Sequence, residues 1–182
     1  MSLLPAGLST SDLDAAANFL RSQSDLLITS HVNPDGDGIA GSLALSGLLR
    51  QFDVRSRILL QDAPSDNYAY LDGWEEIGAI GNTAGARHGC AVILDCPNFD
   101  RIGRVSHHLS ADATLLNIDH HHDNDRFGAV NLTDDAVCST CEMIYHLAVH
   151  MGLEIDPPTA EQLYTGILFD TGGFRYSLTT PT

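Results

Sequence analysis

Three apolar runs of strand length each end on an acid or an imidazole. "LLITS" runs into His31, with Asp35 and Asp37 close behind; "AVIL" runs into Asp95; "TLLNI" runs into Asp119, His120, His121 and His122. Runs this short and this apolar fit strands buried on both faces, as in a parallel sheet. Segments of helical spacing lie between them. Residues 11–22, 38–52, 138–152 and 157–172 read as helices, and 25–30, 53–60, 90–95 and 114–119 as strands. Residues 61–89 are mixed and read as turns with a short helix.

This alternation predicts an α/β fold: a mostly parallel sheet flanked by helices on both faces. Such a sheet binds ligands in the crevice beyond the carboxyl ends of its strands. The three strand ends are therefore expected to deliver their acids and imidazoles to one edge. The helical run "LYTGILF" ends the same way, on Asp170.

Size and charge narrow the function. The 182 residues suit one domain with a real core. No apolar run is long enough to span a bilayer. The opening "MSLLPAGLSTSDLD" has neither a basic start nor a signal-type apolar stretch, so a cytoplasmic location is expected. There are 9 arginines, no lysine, 19 aspartates and 5 glutamates, for a formal charge of −15. Such a chain repels nucleic acid at long range. A phosphate-bearing ligand would need a local cation, and a bound divalent metal is often the largest charge in its site. Most of the acids read as a solvated surface that favours solubility.

No single motif decides the chemistry. "HVNPDGDG" is either an acidic surface turn or one side of a metal site, and Asp-x-Asp pairs arise readily among 19 aspartates. A calcium loop starting at Asp35 fails, because its fifth and twelfth positions are Ile39 and Ser46. "CSTC" has zinc-type spacing but lacks a second close pair, so Cys90, Cys96, Cys138 and Cys141 read as free thiols. His88, His107, His108, His146 and His150 read as surface or hydrogen-bonded core residues.

Four or five carboxylates converging in a partly enclosed crevice repel one another unless they take up protons or cations. Two divalent metals resolve the conflict, and mixed carboxylate and imidazole ligands suit manganese, iron, cobalt or zinc better than calcium. Gly36 and Gly38 are expected to let the backbone turn sharply. The next helix is expected to offer its N-terminal amides to an anion.

The motifs "HVNPDGDGIAGSLAL", "LDCPNFDRIG", "NIDHHHDN", "STCEMIYHL" and "GILFDTGGFRYS" cover residues 28 to 180. In that order they resemble the catalytic domain of the DHH phosphoesterase family, most closely its nanoRNase and pAp phosphatase branch, related to cyclic-di-AMP phosphodiesterases. The resemblance implies two divalent metal ions, manganese first among them. His31 and Asp35 would hold one metal, and Asp37, His120 and Asp170 the other, with Asp95 bridging. Asp119 would orient His120. His121 would contact the scissile phosphate or the leaving group. His122 falls outside the motif register and is expected to be non-catalytic. Arg175 reads either as a contact to substrate phosphate or as half of a structural ion pair.

The implied activity is hydrolysis of short oligonucleotides, such as pApA, or of pAp. Two alternatives stand beside it: an inorganic pyrophosphatase or polyphosphatase of the same superfamily, and a non-catalytic nucleotide-binding domain. Cys141 sits where the family often has glycine, which implies a packing change. The Thr/Pro-rich ending "SLTTPT" looks like the start of a linker. Residues 1–182 are accordingly expected to form one catalytic domain whose smaller C-terminal substrate-binding partner lies outside this chain. A homodimer is the expected assembly, if the chain assembles at all.

Overall fold

The computed structural model describes residues 8–81 and 87–179. The first residues of the opening segment and the end of "SLTTPT" lie outside that range.

Six strands form one wholly parallel sheet: β1 (Asp25–Thr29), β2 (Arg55–Leu60), β3 (Gly78–Ala79), β4 (His88–Leu94), β5 (Leu109–Asp119) and β6 (Val130–Thr133). Their spatial order is β3-β2-β1-β4-β5-β6. The chain builds outward from β1 in one direction and then outward from β4 in the other. A topological switch point therefore falls between β1 and β4, which is where an open α/β sheet leaves its crevice.

Alternation along the strands feeds two cores. Leu26, Ile28, Ile58, Leu60, Val92, Leu94, Leu116, Ile118 and Leu132 share one core with four helices: α1 (Thr10–Arg21), α2 (Gly36–Leu49), α3 (Thr140–Met151) and α4 (Pro157–Asp170). Leu27, Leu59, Ala91 and Ile93 face the other way. They are covered by a 3-10 segment, Phe99–His108, through Ile102 and Val105. Both faces of the sheet are covered, as the sequence predicts, but unequally: all four α-helices lie on one side.

Helix α2 sits at the middle of the helical layer. Every residue but Gly47 is buried, as expected of a helix apolar all round. Close packing explains its glycines. A Cβ on Gly38 would lie 2.3 Å from Ser30 Oγ, so only glycine lets the helix start this near the end of β1. Neither Gly36 nor Gly38 has a positive φ; their role is close approach, not the sharp turn expected of them.

The predicted helix over 38–52 divides into α2 and a 3-10 turn, Arg50–Phe52, closed by Asp53 at φ 59. Two strands escaped the sequence. β3 has two residues, and β6 has four between turn-forming neighbours, too few to show a period. β5 begins five residues before the apolar run, in a mixed and partly exposed stretch. Among the described residues no helix is long and apolar enough to cross a membrane.

Candidate metal centre

Each side chain at the switch point is placed by the end of an element. His31 follows β1. Its Nδ1–H donates to the Val32 carbonyl at 2.8 Å, which turns Nε2 toward Asp35 (3.6 Å) and Asp95 (3.4 Å). Val32 N–H donates to the Arg101 carbonyl at 2.8 Å and pins this loop to the 3-10 segment.

Asp35 is the N-cap of α2. One carboxylate oxygen accepts the amides of Asp37 (3.0 Å) and Gly38 (3.2 Å), leaving the other toward His31. These amides are thus taken by the chain itself and not left for an external anion. Asp37, in the first turn of α2, is fully buried. It accepts the amides of Thr140 (2.6 Å) and Cys141 (3.0 Å), so the positive end of α3 points at its carboxylate.

Asp95 follows β4 at φ 57, an unusual backbone state for a residue with a side chain. Its N–H donates to the Ile118 carbonyl at 3.0 Å, which fixes the kink. The carboxylate lies at the centre of the cluster, 3.4 Å from His31, 3.6 Å from His120 and 3.7 Å from His121, with the Thr140 hydroxyl donating at 3.3 Å. Asp170, the last residue of α4, is 3.0 Å from His120 Nε2.

The resemblance implies that Asp119 orients His120, but the Asp119 carboxylate meets His121 instead. Its carboxylate accepts from His121 Nδ1 at 2.7 Å. Side chains alternate along extended backbone, so the residue two positions beyond Asp119 shares its side and the next one does not. Asn124 donates to the other Asp119 oxygen at 2.7 Å and to Asn117 Oδ1 at 2.8 Å. Buried Asn117 in turn donates to the Ile93 and Cys96 carbonyls. Sequence reasoning assigned no role to Asn117, Asn124 or Thr140. Only the short spacing of the two asparagines from the histidines could have marked the first two.

The charges are in conflict. Burial, then the charges of Asp95 and Asp170, push the Asp37 carboxyl well above the usual range. Burial likewise raises Asp170. Burial works against the charge on Asp95, yet hydrogen bonds from His120 and His31 outweigh it and hold that carboxyl low. The two histidines take up the difference. Burial opposes their charge, but hydrogen bonds to Asp35 and Asp95 push His31 up to about 10, and those to Asp170 and Asp95 push His120 up to about 11.

Three overlapping sets gather ligand atoms within 4.8 Å of one another: His31, Asp35 and Asp95; Asp37, His120 and Asp170; Asp95, His120 and His121. The first two sets together hold four carboxylates and two imidazoles, and four carboxylates neutralise two dications when both imidazoles are neutral. Carboxylate with imidazole is also the donor mix that borderline divalent metals take. The residues present fit a pair of such ions.

All six expected ligands thus share one pocket, with His121 beside them. Arg175 is exposed and forms no ion pair among the described residues. His150 pairs with Asp14 (2.8 Å), His146 lies near Glu142 (3.6 Å) and His88 near Asp25 (3.7 Å), all outside the cluster. The four cysteines are free thiols, three of them buried.

Comparison with known proteins shows the family and the fold. A protein from Thermus thermophilus named bifunctional oligoribonuclease and PAP phosphatase NrnA is 32% identical over 162 residues, 86% of this chain and 46% of its own length. The protein of that name from Bacillus subtilis is 27% identical over 158 residues, 85% of this chain and 49% of its own. The chain spans about half the length of these relatives. The crystal structure of an exopolyphosphatase-related protein from Bacteroides fragilis superimposes with a TM-score of 0.89 at 26% identity, covering 98% of this chain and 55% of that one. The family model for the N-terminal domain of the DHH family matches residues 25–167, and the chain belongs to that family.

Proposed function

We propose that this chain is the catalytic part of a two-metal phosphoesterase that hydrolyses short oligonucleotides or pAp. One observation carries the reading: three strand ends and two helix ends bring four carboxylates and two imidazoles together at the switch point of the sheet. The relatives named for oligoribonuclease and PAP phosphatase activity support the substrate class.

His31 and Asp35 would hold one divalent ion, Asp37, His120 and Asp170 the other, and Asp95 both, with manganese the leading candidate. Such ions, when bound, supply Lewis-acid stabilisation of phosphoryl oxygens and lower the pKa of water. The protein's own share is positional. The α3 amides fix Asp37, the N-cap geometry fixes Asp35, and the kink at Asp95 aims its carboxylate between the two halves of the cluster.

His121 is the proton donor. Asp119 grips its Nδ1–H and raises its pKa, which favours the imidazolium. The ring is 40% exposed, so its second nitrogen can meet a leaving oxygen. Arg175, free of any carboxylate partner among the described residues, is available to substrate phosphate.

A hydrolysis panel tests the reading. With manganese present, pApA, pAp, short RNA, short DNA and pyrophosphate are offered to the purified chain. Release from pApA or pAp above pyrophosphate is expected. Cleavage of pyrophosphate alone, or of nothing, would refute the assignment.

A further inference from the structure

The metal centre has an aromatic edge for which the phosphoester chemistry has no use. Phe169 immediately precedes the ligand Asp170 at the end of α4, and it is 45% exposed. Its Cβ and Cγ pack over Gly36, in the first turn of α2 between Asp35 and Asp37. The Tyr68 hydroxyl reaches the same spot from a 3-10 turn between β2 and β3. A Cβ on Gly36 would lie 2.8 Å from that oxygen and 2.8 Å from Phe169 Cγ, so only glycine lets the two aromatic side chains meet above the start of α2.

Tyr68 packs partly against the core, yet its hydroxyl has no hydrogen-bond partner among the described residues. Burial, then the charges of Asp35, Tyr70 and Asp170, push its phenol up. One expected metal ligand from each half of the cluster therefore acts on this hydroxyl.

Tyr70 continues the row. It is 59% exposed, and its hydroxyl donates to Thr165 at 3.0 Å, because the Thr165 hydroxyl is itself donated to the Glu161 carbonyl at 2.8 Å. Thr165 and Phe169 stand four residues apart on one face of α4, so Tyr70 is anchored one turn further from Asp170 than Phe169 is. A single exposed aromatic residue needs no explanation, but three in a row ending at a set of metal ligands do.

Charge decides what this row can hold. The protein has a formal charge of −15, and exposed Glu161 lies one turn beyond Thr165, so a further phosphate gains nothing on this side. A nucleobase is neutral, and its flat face stacks on an aromatic ring without the help of a cation.

We propose that Phe169 is the stacking platform for the base of the nucleotide whose phosphate the metal centre holds, with the Tyr68 hydroxyl donating a hydrogen bond to that nucleotide and Tyr70 stacking the neighbouring base. This rests on the phosphoesterase reading above and deepens it, by naming the surface that holds the uncharged part of the substrate.

The test is calorimetric binding with manganese present. The probe is a diribonucleotide joined by a non-cleavable methylene phosphonate linkage, carrying either two adenines or no bases. Wild type is expected to bind the adenine form about tenfold more tightly or better, the scale of base–aromatic stacking. Phe169→Leu keeps the apolar bulk over Gly36 but has no π face, and it should bring the ratio to within about threefold; Phe169→Trp should keep it. Tyr70→Ala should reduce the ratio partly, and Tyr68→Phe should weaken the adenine probe about three- to tenfold. Matched melting curves and manganese content show that the variants fold and load. The proposal is overturned if the ratio survives Phe169→Leu, if Phe169→Trp loses it, if wild type has no preference, or if it binds neither probe. A wild type without preference whose mass rises with concentration, but no longer does so in Phe169→Leu, would give the face to a second copy of the chain instead. Failure of the underlying reading shows separately, as absence of bis(p-nitrophenyl) phosphate hydrolysis by wild type.

Discussion

Asp95 is the residue on which the cluster turns. Among the described residues it alone stands within 4 Å of His31, His120 and His121. Asp95→Asn should lower metal affinity and reduce hydrolysis by about a thousandfold, the scale of several kcal/mol of lost charge stabilisation. His107→Ala should change turnover less than about twofold. Asp119 acts at one remove. Asp119→Asn should keep the bound metal but cut kcat by about 10- to 100-fold, because His121 loses the negative charge that favours its imidazolium. Its signature is a shifted pH–kcat profile at unchanged metal content.

Protons and metals compete here. His31 and His120, pushed up to about 10 and about 11, hold protons at pH 7 in the metal-free chain. A cation must displace them, so binding should release protons and tighten as pH rises toward those values. Calorimetry in buffers of different ionisation enthalpy reads the release directly. The sign for stability follows from the same shifts. Both pKa values lie above their unfolded value of about 6.5. Their contribution is therefore full below pH 6.5 and lost as pH rises through 10 to 11, so the metal-free chain should weaken at high pH.

At the scale of elements, helix ends do the positioning. Helix α3 opens on a Ser-Thr-Cys-Glu box. Ser139 accepts the Glu142 N–H at 3.0 Å, and Glu142 accepts the Cys138 N–H at 2.7 Å. Ser139→Ala should cost about 0.5–2 kcal/mol by denaturant melting. It should also lower metal affinity, because the next two amides of α3 hold Asp37. Gly166 shows how tightly α4 is seated: a Cβ there would lie 2.5 Å from Asp37 Oδ1 and 2.3 Å from Cys141 Sγ.

Elements with a strong period were legible in advance. The four helices and the strands ending at Thr29, Leu60, Leu94 and Asp119 all fall within a few residues of the predicted ranges. β6 and the 3-10 segment were not, because four residues carry no period and the apolar residues of the segment, Phe99, Ile102 and Val105, recur every three positions and not at α-helical spacing. The ligand set was legible because a strand end is a fixed address in a parallel sheet. The Asp119–His121 pairing was not, since it requires the backbone to stay extended beyond the last residue of β5.

At the scale of the molecule, the sheet order makes the site. Pairing β1 with β4 brings residues 31 and 95 together across 64 positions, and α2 and α4 close the pocket from the helical face. The site therefore holds distant segments to one another only when its charges are balanced. Each cation bound at about 100 times its dissociation constant should add about 2.7 kcal/mol, or roughly 5–10 °C in melting temperature for a chain of this size. Chelation should reverse the gain.

The most direct test counts and pairs the metals. Manganese titrated into the chain and read by electron paramagnetic resonance should saturate at two ions per chain, with the broadened signal of a coupled pair that Asp95→Asn abolishes. Saturation at one ion, or two isolated six-line signals indifferent to Asp95, would contradict the account.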